Sequence, residues 1–304
     1  MGADELTLTQ KTAGEITVTL DVDQAATAGP ADDNDATTTV DLTNATSVNA
    51  VFDSASVNEI AGAISNTQTI TLETDAATSL NIVSGGENAA NVLALTDTSG
   101  SGTVASVLTE ITITGDQALD LSAISVTNEN KLATVDASGM TAGLTIELDD
   151  LANGAEVTLG SGADVVDAEV AGTAEADLES IVGFEKSAST TDADLIAEAD
   201  LIDFGGTETV GTGSATANAS AADNGIVTFL GAGPSTLDEA IQFVDALGLG
   251  ADEVVAFEYI GDTYLFNEGG TAAVAVDADD SVVKLTGVTG IEALGATNGD
   301  IFVA

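Results

Sequence analysis

The chain has 304 residues, of which 51 are Asp or Glu and 4 are Lys, with no Arg and no His, for a formal net charge of −47. That balance excludes nucleic acid as a partner and disfavours an anionic membrane surface, since both need clustered Lys or Arg. With Cys also missing, disulfides, soft-metal sites and every imidazole- or thiolate-based mechanism are excluded.

The start, "MGADELTLTQ", has neither a basic region nor an apolar run, so it predicts no N-terminal export signal. Leu6 stands where a myristoylation site needs Ser or Thr. From about Leu6 to Val170 the chain reads as short strands divided by turn residues. In order they are "EITVTLDV", "TTTVDL", "SVNAVF", "TQTITLET", "SLNIVS", "NVLALTD", "TEITITGD", "ALDLSAI", "KLATVDAS", "LTIELDD" and "AEVTLGS". Many alternate apolar residues with Thr, Asp or Ser, the period of a half-buried strand. Such regular short strands predict an elongated β-solenoid or a β-sandwich over residues 1–170. Side-chain size favours the solenoid for the second half of this region, with the part up to about Phe52 open to being a separate small β-unit: hydrophobic residues are 44% of the chain, aromatics 3%, and there is no Trp. A core of Ala, Val, Leu and Ile fills a thin, regular gap, and a solenoid turn stacks only on its neighbours.

Near Ala171 the texture changes, and residues 171–304 predict a second, β-rich domain with one or two short helices. "LESIVGFEK" reads as a short turn or strand carrying Phe184, and Thr212 to Gly225 as a small-residue loop. In "GAGPSTLDEAIQFVDALGLG" Ser235 can cap a helix, with Asp238 three residues on. Leu237, Ile241, Val244 and Leu247 make its apolar stripe, and Gly248 stops it. "EVVAFEYIGDTYLFNEG" predicts a hairpin around Gly261-Asp262, and "SVVKLTGV" and "GDIFVA" predict closing strands. No run of apolar residues is long enough for a transmembrane helix.

A charge of −47 repels itself unless cations intervene. Hard divalent ions such as Ca²⁺ suit carboxylate oxygens, and high salt would screen the same repulsion. Both point to an extracellular, saline setting. The first candidate loop is "VTLGSGADVVD". Gly160, Gly162 and Asp164 fit the G-x-G-x-D part of the glycine-rich nonapeptide that binds Ca²⁺ in β-rolls, and Asp167 follows two valines later. Leu159 replaces the leading Gly, and tandem copies are missing, so a plain Gly-rich turn is an equal reading. The second is "ADDNDAT", where Asp32, Asp33 and Asp35 offer oxygen ligands without an EF-hand layout; its alternative is a solvated acidic loop. "ELDD" (Glu147, Asp149, Asp150) and "VDADD" (Asp277, Asp279, Asp280) carry the same double reading. An acid pair could hydrolyse glycosides, but Glu258 beside Tyr259 and Tyr264 is the nearest approach to a sugar-binding context.

The segments "LTEITITGDQALDL", "LATVDASGMTAGLTIEL" and "VTLGSGADVVD" resemble the repeat region of bacterial S-layer and related RTX-type surface proteins. "IVGFEKSA", "NGIVTFLGAGPSTLDEAIQFVDAL", "DEVVAFEYIGDTYLFNEGG" and "DSVVKLTGVTGIEALGATNGDIFVA" resemble the C-terminal part of proteins secreted by the type I, ABC-exporter route. The resemblance implies an uncleaved C-terminal signal, folding driven by external Ca²⁺, and self-assembly at the cell surface. The expectation is a secreted structural protein, not an enzyme. Its partners would be further copies of itself, the exporter during secretion and, as a further candidate, cell-surface polysaccharide. An exported monomeric adhesin is the alternative, and a secreted hydrolase using an acid pair is the second. Exposed strand edges would be the joints between copies.

Overall fold

The computed structural model describes residues 13–20, 37–41, 45–52, 67–73, 76–86, 90–96, 107–125, 131–149, 151–169, 173–175, 177–191, 193–269, 276 and 280–304. The fold is mainly β, as the alternating pattern predicts. The chain divides into two compact units, Met1–Ala152 and Asn153–Ala304.

The first unit is built from ten strands: β1 (Gly14–Leu20), β2 (Thr37–Asp41), β3 (Ala45–Phe52), β4 (Thr67–Glu73), β5 (Ser79–Ser84), β6 (Ala90–Thr96), β7 (Glu110–Gly115), β8 (Leu119–Ser125), β9 (Thr134–Met140) and β10 (Leu144–Glu147). Consecutive strands alternate between two sheets, ordered β1-β3-β5-β7-β9 and β2-β4-β6-β8-β10. Every one of these pairings whose register is defined is parallel. Each strand therefore pairs with the strand two places on, so every successive pair adds one strand to each sheet.

Register turns the period-two sequence pattern into continuous buried rows. Val48, Leu80, Ile111 and Val135 stand side by side on β3, β5, β7 and β9, and each is at most 1% exposed. Ala50, Ile82 and Ile113 form the next row on three of these strands. In the other sheet Leu121 lies beside Ile146. Burying each Leu or Ile contributes about 1.5–3 kcal/mol. These rows are made of Ala, Val, Leu and Ile side chains. This explains how the unit does with one aromatic residue, Phe52, while the other nine lie beyond Ala152.

Two features close the edge of these rows. Phe52, Ser84 and Gly115 occupy one register position on β3, β5 and β7. Gly115 has φ +139°, and a Cβ there would sit 1.9 Å from the Ser84 carbonyl oxygen. Ser84 is fully buried; its hydroxyl donates to the Gln117 carbonyl at 2.9 Å and accepts from Asn91 Nδ2 at 2.9 Å.

The second unit holds β11 (Glu156–Thr158), β12 (Val165–Asp167), β13 (Ser180–Val182), α1 (Ala193–Ile196), β14 (Leu201–Asp203), β15 (Thr209–Val210), β16 (Ala219–Ala221), β17 (Val227–Phe229), α2 (Leu237–Asp245), β18 (Glu253–Tyr259), β19 (Asp262–Glu268), β20 (Ser281–Thr286), β21 (Leu294–Thr297) and β22 (Asp300–Val303). One sheet runs β11-β13-β20-β19-β18-β15 and a second β12-β14-β22-β21, with β16-β17 as a separate ribbon. Parallel pairs persist at β11–β13 and β12–β14, and antiparallel hairpins take over at β18–β19 and β21–β22.

α2 presses Leu237, Ile241 and Val244 into a cluster with Val255, Phe257, Tyr264 and Phe266. The Phe257 and Tyr264 rings stack with centroids 5.2 Å apart. Leu247, the last residue of the predicted stripe, is also buried. The helix start differs from the sequence expectation by one residue. Thr236, not Ser235, is the N-cap, and its hydroxyl accepts from the Glu239 N–H at 3.1 Å. Glu239, not Asp238, is the reciprocal acid: its Oε2 accepts from Ser235 N at 2.7 Å. Both T-x-x-E and S-x-x-D are present in this stretch, and the longer Glu side chain reaches back over the turn.

The hairpin turn is likewise Ile260-Gly261 rather than Gly261-Asp262, because Tyr259 pairs with Asp262. Both turn residues have positive φ, the type I′ geometry that matches strand twist. Residues 212–225 are not all loop: Ala219–Ala221 pairs antiparallel with β17.

Candidate functional site

The loop "GSGADVVD" turns the chain from β11 in one sheet to β12 in the other. Neither Gly160 nor Gly162 takes a positive φ. Asp164 is fully buried. Its N–H donates to Asp200 Oδ1 at 2.9 Å, and its carbonyl accepts from Leu201 N at 2.8 Å. Asp200 is also fully buried, and its Oδ2 accepts from Glu185 N at 2.6 Å. One carboxylate thus ties the predicted glycine turn to the loop after β13. Burial pushes the Asp200 carboxyl up to about 7, against the opposing pull of the two N–H donors. Asp167 Oδ1 accepts from Glu169 N at 3.1 Å, a local turn contact.

Asp32, Asp33 and Asp35 lie outside the described residues, as do Asp150, Asp277 and Asp279. Glu147 is half-buried, Asp149 is exposed and Asp280 is buried. Glu258 Oε1 accepts from the N–H groups of Gly290 and Ile291, at 2.6 and 3.1 Å. Its place is thus that of a loop anchor beside the aromatic stack.

Among the described residues, three carboxylates gather elsewhere: ligand atoms of Asp203, Glu208 and Asp300 all lie within 4.8 Å of one another. The pairing of the strands explains two of them. β12 and β14 run parallel with Asp167 beside Asp203. β14 and β22 run antiparallel with Ile202 opposite Ile301, which sets Asp203 opposite Asp300. Val166, Ile202 and Ile301 are fully buried, so side-chain alternation puts the three aspartates together on the other face. Like charges on adjacent strands repel.

Turn chemistry brings in the fourth acid. Asp203 Oδ1 accepts from Gly205 N at 2.7 Å, and Gly205 has φ +81°. The chain then doubles back, so that Glu208 N donates to the Gly299 carbonyl at 3.1 Å. Gly299 belongs to Asn298-Gly299, both with positive φ, which form the two-residue turn between β21 and β22. Glu208 is 2% exposed. Its Oε1 accepts from Gly206 N at 2.7 Å, and among the described residues its Oε2 has no hydrogen-bond partner. Burial, aided by the charges of Asp203 and Asp300, raises the Glu208 carboxyl above its ordinary value. Burial and Asp203 raise Asp300 likewise.

The sequence reading did not single out these three residues. The available signals were "TNGD", an Asn-Gly turn followed by an acid, and "DFGGTE", two acids bracketing a Gly-Gly turn. No protein-family model matches the chain, and no curated protein matches it.

Proposed function

We propose that the chain is a secreted structural protein that self-assembles at the cell surface into a layer, matrix or filament, with Ca²⁺ as its ligand. In this reading the first unit is a β-solenoid, and it acts by stacking rather than by catalysis. The observation that carries it is the pairing of each strand of that unit with the strand two places on, all in parallel. Such an architecture grows by adding like strands at an edge. Among the described residues β1 has a strand neighbour on one side, β3. Its other edge offers N–H and C=O groups of the kind that a strand from another copy extends. The charge of −47 would oppose close approach of copies, so divalent cations would be needed to allow it. Export by the type I route rests on the resemblance of the closing segments.

The test is direct. The purified full chain is placed in millimolar Ca²⁺ or in EGTA and viewed by negative-stain electron microscopy. Ordered sheets or filaments in Ca²⁺ are expected. A persistent monomer under every condition overturns the reading.

A further inference from the structure

We propose that Asp203, Glu208 and Asp300 form a binding site for one hard divalent cation of calcium's size, distinct from the glycine-turn and acidic-loop candidates. This deepens the calcium part of the proposed function by naming residues, but it does not depend on assembly.

Four observations converge on the site. First, two oxygens held by one ion at about 2.4 Å can be no farther apart than about 4.8 Å, a limit that calcium–oxygen distances set. The three carboxylates meet it. Second, Glu208 is buried, and among the described residues its Oε2 has no hydrogen-bond partner. A buried carboxylate oxygen is normally satisfied by a hydrogen bond, a cation or an ion.

Third, among the described residues no basic side chain pairs with the cluster. The charged neighbours that act on Glu208 are Asp203 and Asp300, both acidic. Lys284 is engaged with Asp262 at 3.0 Å, and Lys186 with the carbonyls of Thr289 and Gly290. Fourth, the surrounding backbone holds the acids in place. Gly205 and Gly206 donate their N–H groups to Asp203 and Glu208, and the Asn298-Gly299 turn sets Asp300 at the start of β22. A Cβ on Gly205 would meet the Glu169 side chain at 2.7 Å, so the first turn is closely fitted.

Donor chemistry selects the ion. All three ligands are carboxylate oxygens, and the chain has no Cys or His, which leaves hard cations. Asp167, in register beside Asp203, adds negative charge on the same face.

The test is calorimetric titration of the full chain with CaCl₂ at high NaCl, which screens the surface charge and so suppresses non-specific calcium association. The wild type, Glu208→Gln, Asp300→Asn and Asp223→Asn are compared, and circular dichroism checks that each is folded. Asp223 is exposed and is not one of the three clustered carboxylates, so its variant controls for the loss of one charge. The expected result is that the wild type and Asp223→Asn share one calcium site that Glu208→Gln and Asp300→Asn lose or bind at least tenfold more weakly. Asp300 is half-exposed, so its variant keeps the test open if Glu208→Gln does not fold. Equal stoichiometry and affinity in wild type and Asp300→Asn, or no calcium heat in the wild type, overturns the site. Microscopy is scored separately: calcium binding lost only in these variants, with no ordered assembly in any, upholds the site and counts against the assembly reading.

Discussion

Asn81 Nδ2 donates to Asn49 Oδ1 at 2.7 Å, across a sequence separation of 32 residues. Asn49 in turn donates to Glu15 Oε1 at 2.7 Å and to Thr17 Oγ1 at 3.3 Å, the latter again 32 residues back. Side-chain amides thus repeat the backbone ladder on the outer face of β1, β3 and β5. Asn49→Ala should lower stability by about 1–2 kcal/mol, since it removes several hydrogen bonds worth about 1 kcal/mol each. A double-mutant cycle with Asn81→Ala by urea unfolding should return a favourable coupling near 0.5–1 kcal/mol, on the order of one net hydrogen bond. A coupling of zero would show the ladder to be incidental to stability.

Among the described glycines of the first unit, Gly115 leaves the least room for a Cβ. Gly115→Ala would place a methyl group 1.9 Å from a carbonyl oxygen at φ +139°. The expected cost is roughly 3 kcal/mol or more, through backbone displacement of β5 or β7. Chemical denaturation measures it. A loss under 1 kcal/mol would contradict the register described for Ser84 and Gly115.

Asp200 makes stability depend on pH. Its folded-state pKa, about 7, lies above the ordinary value of 3.8. The folded chain therefore binds an extra proton between those values. The stability it contributes is complete below about pH 3.8 and is lost as pH rises through about 7. Denaturation midpoints in EGTA from pH 4.5 to 8 should fall more steeply for the wild type than for Asp200→Asn. That variant also turns one acceptor toward an N–H as a donor, so a general loss of about 1–3 kcal/mol accompanies the flatter profile. Parallel profiles would remove Asp200 as their source.

Ile260 sits at the tip of the β18–β19 hairpin with φ +50° and 84% exposure. A β-branched residue gains nothing there from burial and carries left-handed strain. Ile260→Asn creates the Asn-Gly pair that this turn prefers, and should raise stability by about 1 kcal/mol. Thermal unfolding would register it as a higher Tm, and a lower Tm would mean that the side chain makes contacts not visible in this chain alone.

Much of the strand content could be read directly. "SLNIVS" and "TEITITGD" alternate so regularly that β5 and β7 follow from period alone, and Leu237, Ile241, Val244 and Leu247 are buried as the helical period requires. Short-range competition decided the details. Two overlapping cap motifs differ by one residue, and the chain uses Thr236 with Glu239 because that acid reaches the exposed N–H of Ser235. The Asp203–Glu208–Asp300 cluster was less legible. With 51 acids in the chain, no spacing marks the few that meet.

Composition and local period, which need no knowledge of partners, determined that this chain is mainly β, poor in aromatic residues and strongly acidic. Period two says which face of a strand is buried, but not which strand lies beside it. That choice depends on how the loops close and on which register aligns Val48 with Leu80 and Ile111. Only the tertiary structure paired each strand of the first unit with the one two places on. Only it set Asp203 opposite Asp300, and brought Glu208 close to both with one oxygen that has no hydrogen-bond partner among the described residues.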